Sequence, residues 1–335
     1  MESCTRIKIE VMISPIAWVK KGLAESFEYA EIVSKTYGMK RGWVVVSELW
    51  CMICYGAKPV DYVRFEFYKK NHRERNRYLT TYRYRKLLRK FGYYNETTFG
   101  KMAEYKTFAD YIHRPWIVAD KDTDSQVIKD FIAKQGVVFA KPDHGDQGKG
   151  VMKIKVDDSK AIEELLKDCK QGAFVVEGAI DQDPEIAAIN PSSVNTVRAY
   201  SMLKKNGEAE ILGIMLRVGR KGSHVDNWGS GGVGYDFDIE TGVCVGFGRD
   251  KKNNPYIFHP DSNVQMVGYR LPDFENLKKT IIELSHKVPE ARFVGWDIAI
   301  TPNGYELVEM NCPGGHDFLQ AFGKPYGDAL RKEFR

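Results

Sequence analysis

The sequence predicts an α+β protein with a mostly helical amino-terminal region. Three observations carry that expectation. Residues 1–100 place apolar side chains at helical spacing, whereas from about residue 101 short apolar strands alternate with helical segments. Two later segments, 196–218 and 295–311, read as β-hairpins, each organised around an Asn-Gly pair. We therefore expect three regions: 1–100, helical and basic, then lobes at 101–187 and 188–335. A length of 335 residues accommodates them, and 43% hydrophobic with 28% charged residues is ordinary for a globular protein.

Lys21–Met39 carries Leu23, Phe27, Ala30, Ile32 and Val33 near helical spacing, and Trp43–Tyr55 reads as a buried core helix. Gly56 to Pro59 is a break. Between Arg64 and Lys90 there are 11 Lys or Arg against Glu66 and Glu74, although the whole chain is only +5. Such a block attracts phosphates, nucleic acid or an anionic membrane. Its interleaved Tyr62, Phe65, Phe67, Tyr68, Tyr78, Tyr82 and Tyr84 fit a single-strand stacking platform. They fit better the packed side of a basic helix, so nucleic acid is not the favoured partner, while peripheral membrane contact by 64–90 stays open.

No stretch has the roughly 20 apolar residues of a membrane span. The first residues lack a signal peptide's apolar core, and the six cysteines are scattered. Reduced thiols and a cytoplasmic location are the expectation.

Helices are expected at 101–112, 126–134, 159–170 and 274–287, and short strands at 137–141, 151–156 and 174–177. Lys141 ends an apolar strand just before a glycine-rich loop, 143–150. Its Gly145, Gly148 and Gly150 allow close backbone approach to phosphate, and Lys149 adds charge. Glu177 ends another apolar strand, where a nucleobase edge could be read. The 196–218 hairpin, turning at Asn206-Gly207, pairs Arg198 with Met215 and Thr196 with Arg217. Both arginines then share one face, opposite an apolar face of Val197, Ala199, Leu203, Leu212, Ile214, Leu216 and Val218. They look aimed at an anion.

Asp297, Glu309 and Asn311 are oxygen-bearing side chains among apolar neighbours, a set that suits Mg²⁺. The alternative is the wet face of a surface hairpin. Parity separates turn types: a two-residue Asn303-Gly304 turn pairs Asp297 with Met310, whereas a three-residue loop, Pro302-Asn303-Gly304, pairs it with Glu309. Pro302 and Gly304 suit the three-residue loop, which puts all three on one face.

The order FAKPDHGDQGKGV, FVVEGAI, NTVRAY with LRVG, VDNWGSGGVG and DIAI with ELVEMN resembles the ATP-grasp superfamily over about residues 100–320. PSSVNTVRAY, LRVG and VDNWGSGG make it most similar to the sugar-transfer-associated ATP-grasp family of polysaccharide biosynthesis. The resemblance implies two α+β lobes clamping ATP, the first with phosphate loop and adenine hinge, the second with the arginine hairpin and metal site. It implies that Lys141 and Lys106 contact phosphates and that the loop 145–150 closes over them. It puts Glu177 and Ile180 at the adenine hinge and makes Asp297, Glu309 and Asn311 ligands of Mg²⁺, with Mn²⁺ as an alternative ion. Asp181, Asp183 and Glu185 compete for the ribose, and Asp183 is our choice.

The implied activity is an ATP-dependent carboxylate–amine ligase working through an acylphosphate, in modification of a cell-surface polysaccharide or related metabolite. Its partners are a small carboxylate and an amine, sugar-linked in the narrower reading. Arg198 and Arg217 would hold the carboxylate and the developing oxyanion, and Asp226 the amine. His224 and His316 are lesser substrate candidates. A phosphotransferase acting on a sugar hydroxyl is the first rival, and a non-catalytic nucleic-acid-binding module the second.

Overall fold

A computed structural model describes residues 15–90, 100–144 and 150–334. Two compact units divide the chain: Met1–Gly92 together with His316–Arg335, and Tyr93–Gly315. The final segment thus packs with the amino-terminal one.

The first unit opens with α1 (Pro15–Tyr37), α2 (Arg41–Tyr55), α3 (Pro59–Arg64), α4 (His72–Arg77) and α5 (Thr81–Lys90). Gly56 ends α2 in the left-handed conformation that glycine adopts without strain, donating to the Met52 carbonyl at 3.1 Å. Asn71 and Glu74 form a reciprocal capping box at the start of α4. Tyr62, Phe65, Phe67, Tyr68 and Tyr78 are buried with Ala30 and Val33 of α1 and Val44, Cys51 and Tyr55 of α2. These five aromatics of the basic stretch are therefore core, and buried rings offer no face for bases to stack on.

The expectation that Trp43–Tyr55 is a buried core helix holds for one face and is corrected for the other. Only Val44, Val45, Glu48, Cys51 and Tyr55 are buried, and Trp43, Val46, Trp50 and Ile53 face solvent.

In the second unit come α6 (Lys101–Thr107), β1 (Trp116–Ala119), α7 (Ser125–Gln135), β2 (Val137–Pro142), β3 (Met152–Lys155), α8 (Ser159–Asp168) and β4 (Phe174–Gly178). Strand β1 was not foreseen. The four strands form an antiparallel sheet in the order β1-β4-β2-β3. Ile128 and Ile132 of α7 and Leu165 of α8 pack on Val138, Ala140, Ile154 and Val176. Asp124 and Asp158 cap the two helices.

Next follow α9 (Pro184–Ile189), β5 (Thr196–Leu203), β6 (Ala209–Val218), β7 (Val233–Phe237), β8 (Gly248–Arg249), β9 (Pro255–Tyr256), α10 (Phe274–Lys287), β10 (Phe293–Thr301) and β11 (Gly304–Asn311). The strands build a seven-stranded sheet in the order β11-β10-β5-β6-β7-β8-β9. Leu277, Ile281 and Leu284 of α10 cover the face bearing Val197, Ala199, Ile214, Leu216, Trp296 and Ile298. That leaves the opposite face for polar side chains.

Both hairpins depart from the expected turns, and in both a β-bulge compensates. In β10–β11 the loop has two residues, since Thr301 pairs with Gly304, and the register shifts between Asp297 and Ile298 so that Val308 is the extra residue. Asp297 still faces Glu309. In β5–β6 the loop has three residues, with Lys204 N–H on the Glu208 carbonyl, and a shift between Tyr200 and Ser201 makes Leu212 the extra residue. Arg198 still pairs with Met215 and Thr196 with Arg217, but Ile211 rather than Leu212 packs against the core.

The chain closes with α11 (Phe318–Ala321) and α12 (Gly327–Glu333), which belong to the first unit. Gln320 holds Leu79 through both its backbone N–H and its carbonyl, each at 2.9 Å. His316 stacks on Tyr84 and lies 3.5 Å from the buried Asp61 carboxylate, so it has a structural partner. The five described cysteines are free, and no helix among the described residues is long and apolar enough to cross a membrane.

Glu48 is buried in α2, and neither carboxylate oxygen has a hydrogen-bond partner in bonding geometry. Burial pushes its pKa up to about 8, with Ser26 the one group opposing that rise. Below the unfolded-state value near 4 both states hold the proton. Between there and about 8 only the unfolded state releases it, so stability falls as pH rises across that window. Glu48→Gln should remove the slope, because an amide has no proton to release across that window. Urea midpoints at pH 5 and pH 8 test this; a wild-type midpoint that does not move contradicts it.

Candidate functional site

The polar face of the seven-stranded sheet gathers Arg198, Arg217, Asp297, Glu309 and Asn311. Asp297 sits on β10 directly between Arg198 of β5 and Glu309 of β11. Its carboxylate takes Arg198 through Nε and through Nη2 (2.9 Å), Arg217 through Nη2 (3.0 Å) and Asn311 through Nδ2 (3.3 Å). Burial alone would raise the Asp297 pKa, but the two guanidinium groups hold it below the ordinary carboxylate value.

Asp226 stands behind Arg217. It accepts the Thr196 N–H at 2.8 Å and the Thr196 hydroxyl, and lies 3.5 Å from Arg217 Nε. Arg217 in turn donates to Thr196 Oγ1 from Nη2 at 2.6 Å. Asp226 is thus engaged in fixing Arg217, where the sequence suggested a hold on an amine.

The bulge at Val308 has a second effect. Leu307 pairs with Ile298 on the core face, so Glu306 and Glu309, three residues apart, both project to the polar face. Regular alternation would send them to opposite faces. Each meets a cation. Lys101 of α6 reaches Glu309 and also Glu104, 3.3 Å away. Arg114 donates to Glu306 from its backbone N–H (2.9 Å) and Nη1 (2.6 Å), to the Leu307 carbonyl (2.9 Å) and to Glu177 from Nε (2.7 Å). Its side chain is 1% exposed.

Lys141 at the end of β2 completes this network. Its Nζ is 2.6 Å from Glu177 Oε1 and 3.3 Å from the Tyr105 hydroxyl, which itself donates to Glu177. Burial, reinforced by the Arg114 and Lys101 charges, brings the Lys141 pKa down to about 7. Three cations, Lys101, Arg114 and Lys141, therefore interlock with four carboxylates, Glu104, Glu177, Glu306 and Glu309.

Other predicted residues lie elsewhere. Lys106 is exposed, and Lys101, five residues earlier on α6, is the lysine in the network. Asp183 caps α9, its Oδ1 accepting from Glu185 N–H at 2.9 Å and Ile186 N–H at 3.3 Å. The Glu177 carboxylate turns into the buried network, and Ile180 follows β4 half-buried. Gly145, Gly148 and Lys149 lie outside the described residues. Gly150 is described, with φ +79°. His224 is exposed.

Sequence reasoning missed Lys101, Glu104, Arg114 and Glu306. A signal for the first two existed: Lys101 and Glu104 share a helix face at a spacing of three. None existed for Arg114, which lies in a connection between elements.

The donor chemistry fits a hard cation in part. Glu309 is 41% exposed, and with Asn311 it offers oxygen ligands where Lys101 now supplies positive charge. Asp297 shares their face but already carries two guanidinium groups. Among the described residues no three His, Cys, Asp or Glu side chains cluster as a metal cage.

A family model described as sugar-transfer associated ATP-grasp matches residues 108–332. The chain belongs to that family. The ATP-grasp fold expected from the motifs is thereby the observed one. Among solved structures, the ATP-grasp ligase PsnB complexed with minimal precursor, Mg and ADP is 14% identical, with a TM-score of 0.42 over 70% of this chain and 59% of its own. D-alanyl-alanine synthetase A from Vibrio cholerae is 14% identical, with a TM-score of 0.46 over 71% of this chain and 65% of its own. N5-carboxyaminoimidazole synthetase from Staphylococcus aureus complexed with ADP is 12% identical, with a TM-score of 0.39 over 65% and 44%. This ATP-grasp chain spans less than two thirds of the length of each. No curated protein matches it.

Arg114→Leu should destabilise the protein by about 3–5 kcal/mol, because it leaves Glu306 buried without its cation and Glu177 with Lys141 alone. Chemical denaturation measures this; a loss of under about 1 kcal/mol would mean the carboxylates relax to other partners.

Proposed function

We propose that this ATP-grasp protein is an ATP- and Mg²⁺-dependent ligase that joins a carboxylate to an amine through an acylphosphate. The observation that carries the reading is the polar sheet face, where two clamped arginines lie beside an acidic pair, next to a strand-end lysine preceding a glycine-rich loop. In that reading Lys141 and Lys101 meet the phosphates of ATP. Glu309 and Asn311, with Asp297 beside them, would hold Mg²⁺, which supplies neutralisation of phosphate charge.

The chain's own residues do the remaining work. Asp297 holds Arg198 and Arg217 in fixed orientation, and Asp226 with Thr196 sets Arg217 from the other side. A guanidinium fixed in advance can bind a substrate carboxylate and stabilise the oxyanion without reorganising. Lys101 lies on Glu309, so nucleotide binding would exchange partners: lysine to phosphate, carboxylate to cation. The family's description, sugar-transfer associated, supports a sugar setting, so sugar-linked carboxylates and amines are the substrates to try first. A phosphotransferase acting on a sugar hydroxyl is the second reading, because the same phosphate-binding face would serve a hydroxyl nucleophile.

A screen of carboxylates with pooled amines should release ADP, and Glu309→Ala should reduce release to background. Hydroxylamine should trap a hydroxamate from the acylphosphate. A phosphorylated product with no hydroxamate selects the phosphotransferase, and full activity in Glu309→Ala sinks the metal assignment.

Affinity for MgATP should also depend on pH. Phosphates favour the protonated form of Lys141, whose free-protein pKa is about 7. Binding should therefore be tightest below pH 7 and weaken as pH rises through 7 to 8. Lys141→Met should flatten that dependence in isothermal titration, and an unchanged slope in the variant would assign the titration to another group.

A further inference from the structure

We propose that the solvent face of α2 is a docking surface for an anionic lipid bilayer. Trp43, Val46, Trp50 and Ile53 recur at intervals of three and four residues and are 52%, 66%, 59% and 80% exposed. The core-facing residues of the same helix are packed, and among the described residues this stripe is left largely to solvent. A contiguous exposed apolar strip marks a surface built to be covered.

Charge decides what covers it. The stripe carries no acidic side chain, because the one carboxyl of α2, Glu48, is turned inward. Lys40 and Arg41 stand at its first end; Arg41 also pairs with Glu31 at 3.0 Å. At the other end Arg83 of α5 donates to the Cys54 carbonyl at 3.3 Å and lies 5.3 Å above the Tyr55 ring. Lys86 and Arg89 of α5 are exposed further along that helix. Tryptophans in an apolar strip with cations at both ends suit the boundary between acyl chains and anionic headgroups. A second copy of the chain suits it less. Two such strips laid together, in either direction, bring cations against cations at both ends.

The test uses the full chain and vesicles of phosphatidylcholine, alone or mixed with phosphatidylglycerol. The protein should float with the mixed vesicles only, and brominated acyl chains should quench its tryptophan fluorescence. Trp43→Ser with Trp50→Ser should lower partitioning about tenfold or more while the thermal melt followed by circular dichroism stays as in wild type. If that variant melts differently, quenching in the unmodified chain decides. Absence of flotation at low salt overturns the proposal. So does equal flotation of the double variant, which would credit the basic segment 64–90 alone. A concentration-dependent dimer abolished by the double variant would replace the bilayer by a second copy.

Discussion

One extra residue in a hairpin determines the polar face. Val308 has no partner across β10, and that irregularity turns Glu306 and Glu309 to the same side of the sheet. Each carboxylate then finds its cation, Arg114 for the first and Lys101 for the second. Without the bulge one of them would point at α10 and the apolar core, where an unpaired carboxylate is prohibitively costly. Bulges concentrate where a side chain must be re-aimed, and here two are re-aimed together.

The sequence was informative where chemistry repeats with a period. Helices with capping residues and the apolar face of β5–β6 could be read from it, whereas Asp297 pairs with Glu309 as expected but through a different loop and a bulge. Turn lengths could not. The loop at Pro302-Asn303 is one residue shorter than expected, the loop at 205–207 one longer, and the bulges at Val308 and Leu212 absorb the differences. A bulge marks alternating polarity only by one residue of phase, as at Glu306-Leu307-Val308-Glu309, and that slip does not give the length of the neighbouring loop. The same blindness explains Arg114, a buried cation set in irregular chain, and the choice of Lys106 over Lys101, which depends on where α6 begins.

The network around Glu177 and the cluster around Asp297 obey a common rule. Each buried charge is opposed by at least one of the other sign, and the arginines make several bonds each. Guanidinium suits this role because its donors are fixed in a plane and it stays charged when buried. Lysine is the less committed cation, and the depressed pKa of Lys141 reflects that. In the proposed reading a polyanion entering such a site would meet charges already held in place and trade one carboxylate for another acceptor rather than order loose side chains.

The junction between α6 and β2 gives those two lysines a shared frame. Asp143, two residues beyond Lys141, accepts the Met102 N–H on its carboxylate at 2.8 Å and the Lys101 N–H on its carbonyl at 3.0 Å. Gly100 makes the contact feasible, because a Cβ there would fall 2.5 Å from an Asp143 carboxylate oxygen. Lys101 and Lys141 are forty residues apart in the chain, yet one clasp sets the distance between them. The spacing of the two positive charges is in effect a calibrated gauge, and its calibration rests on a residue with no side chain.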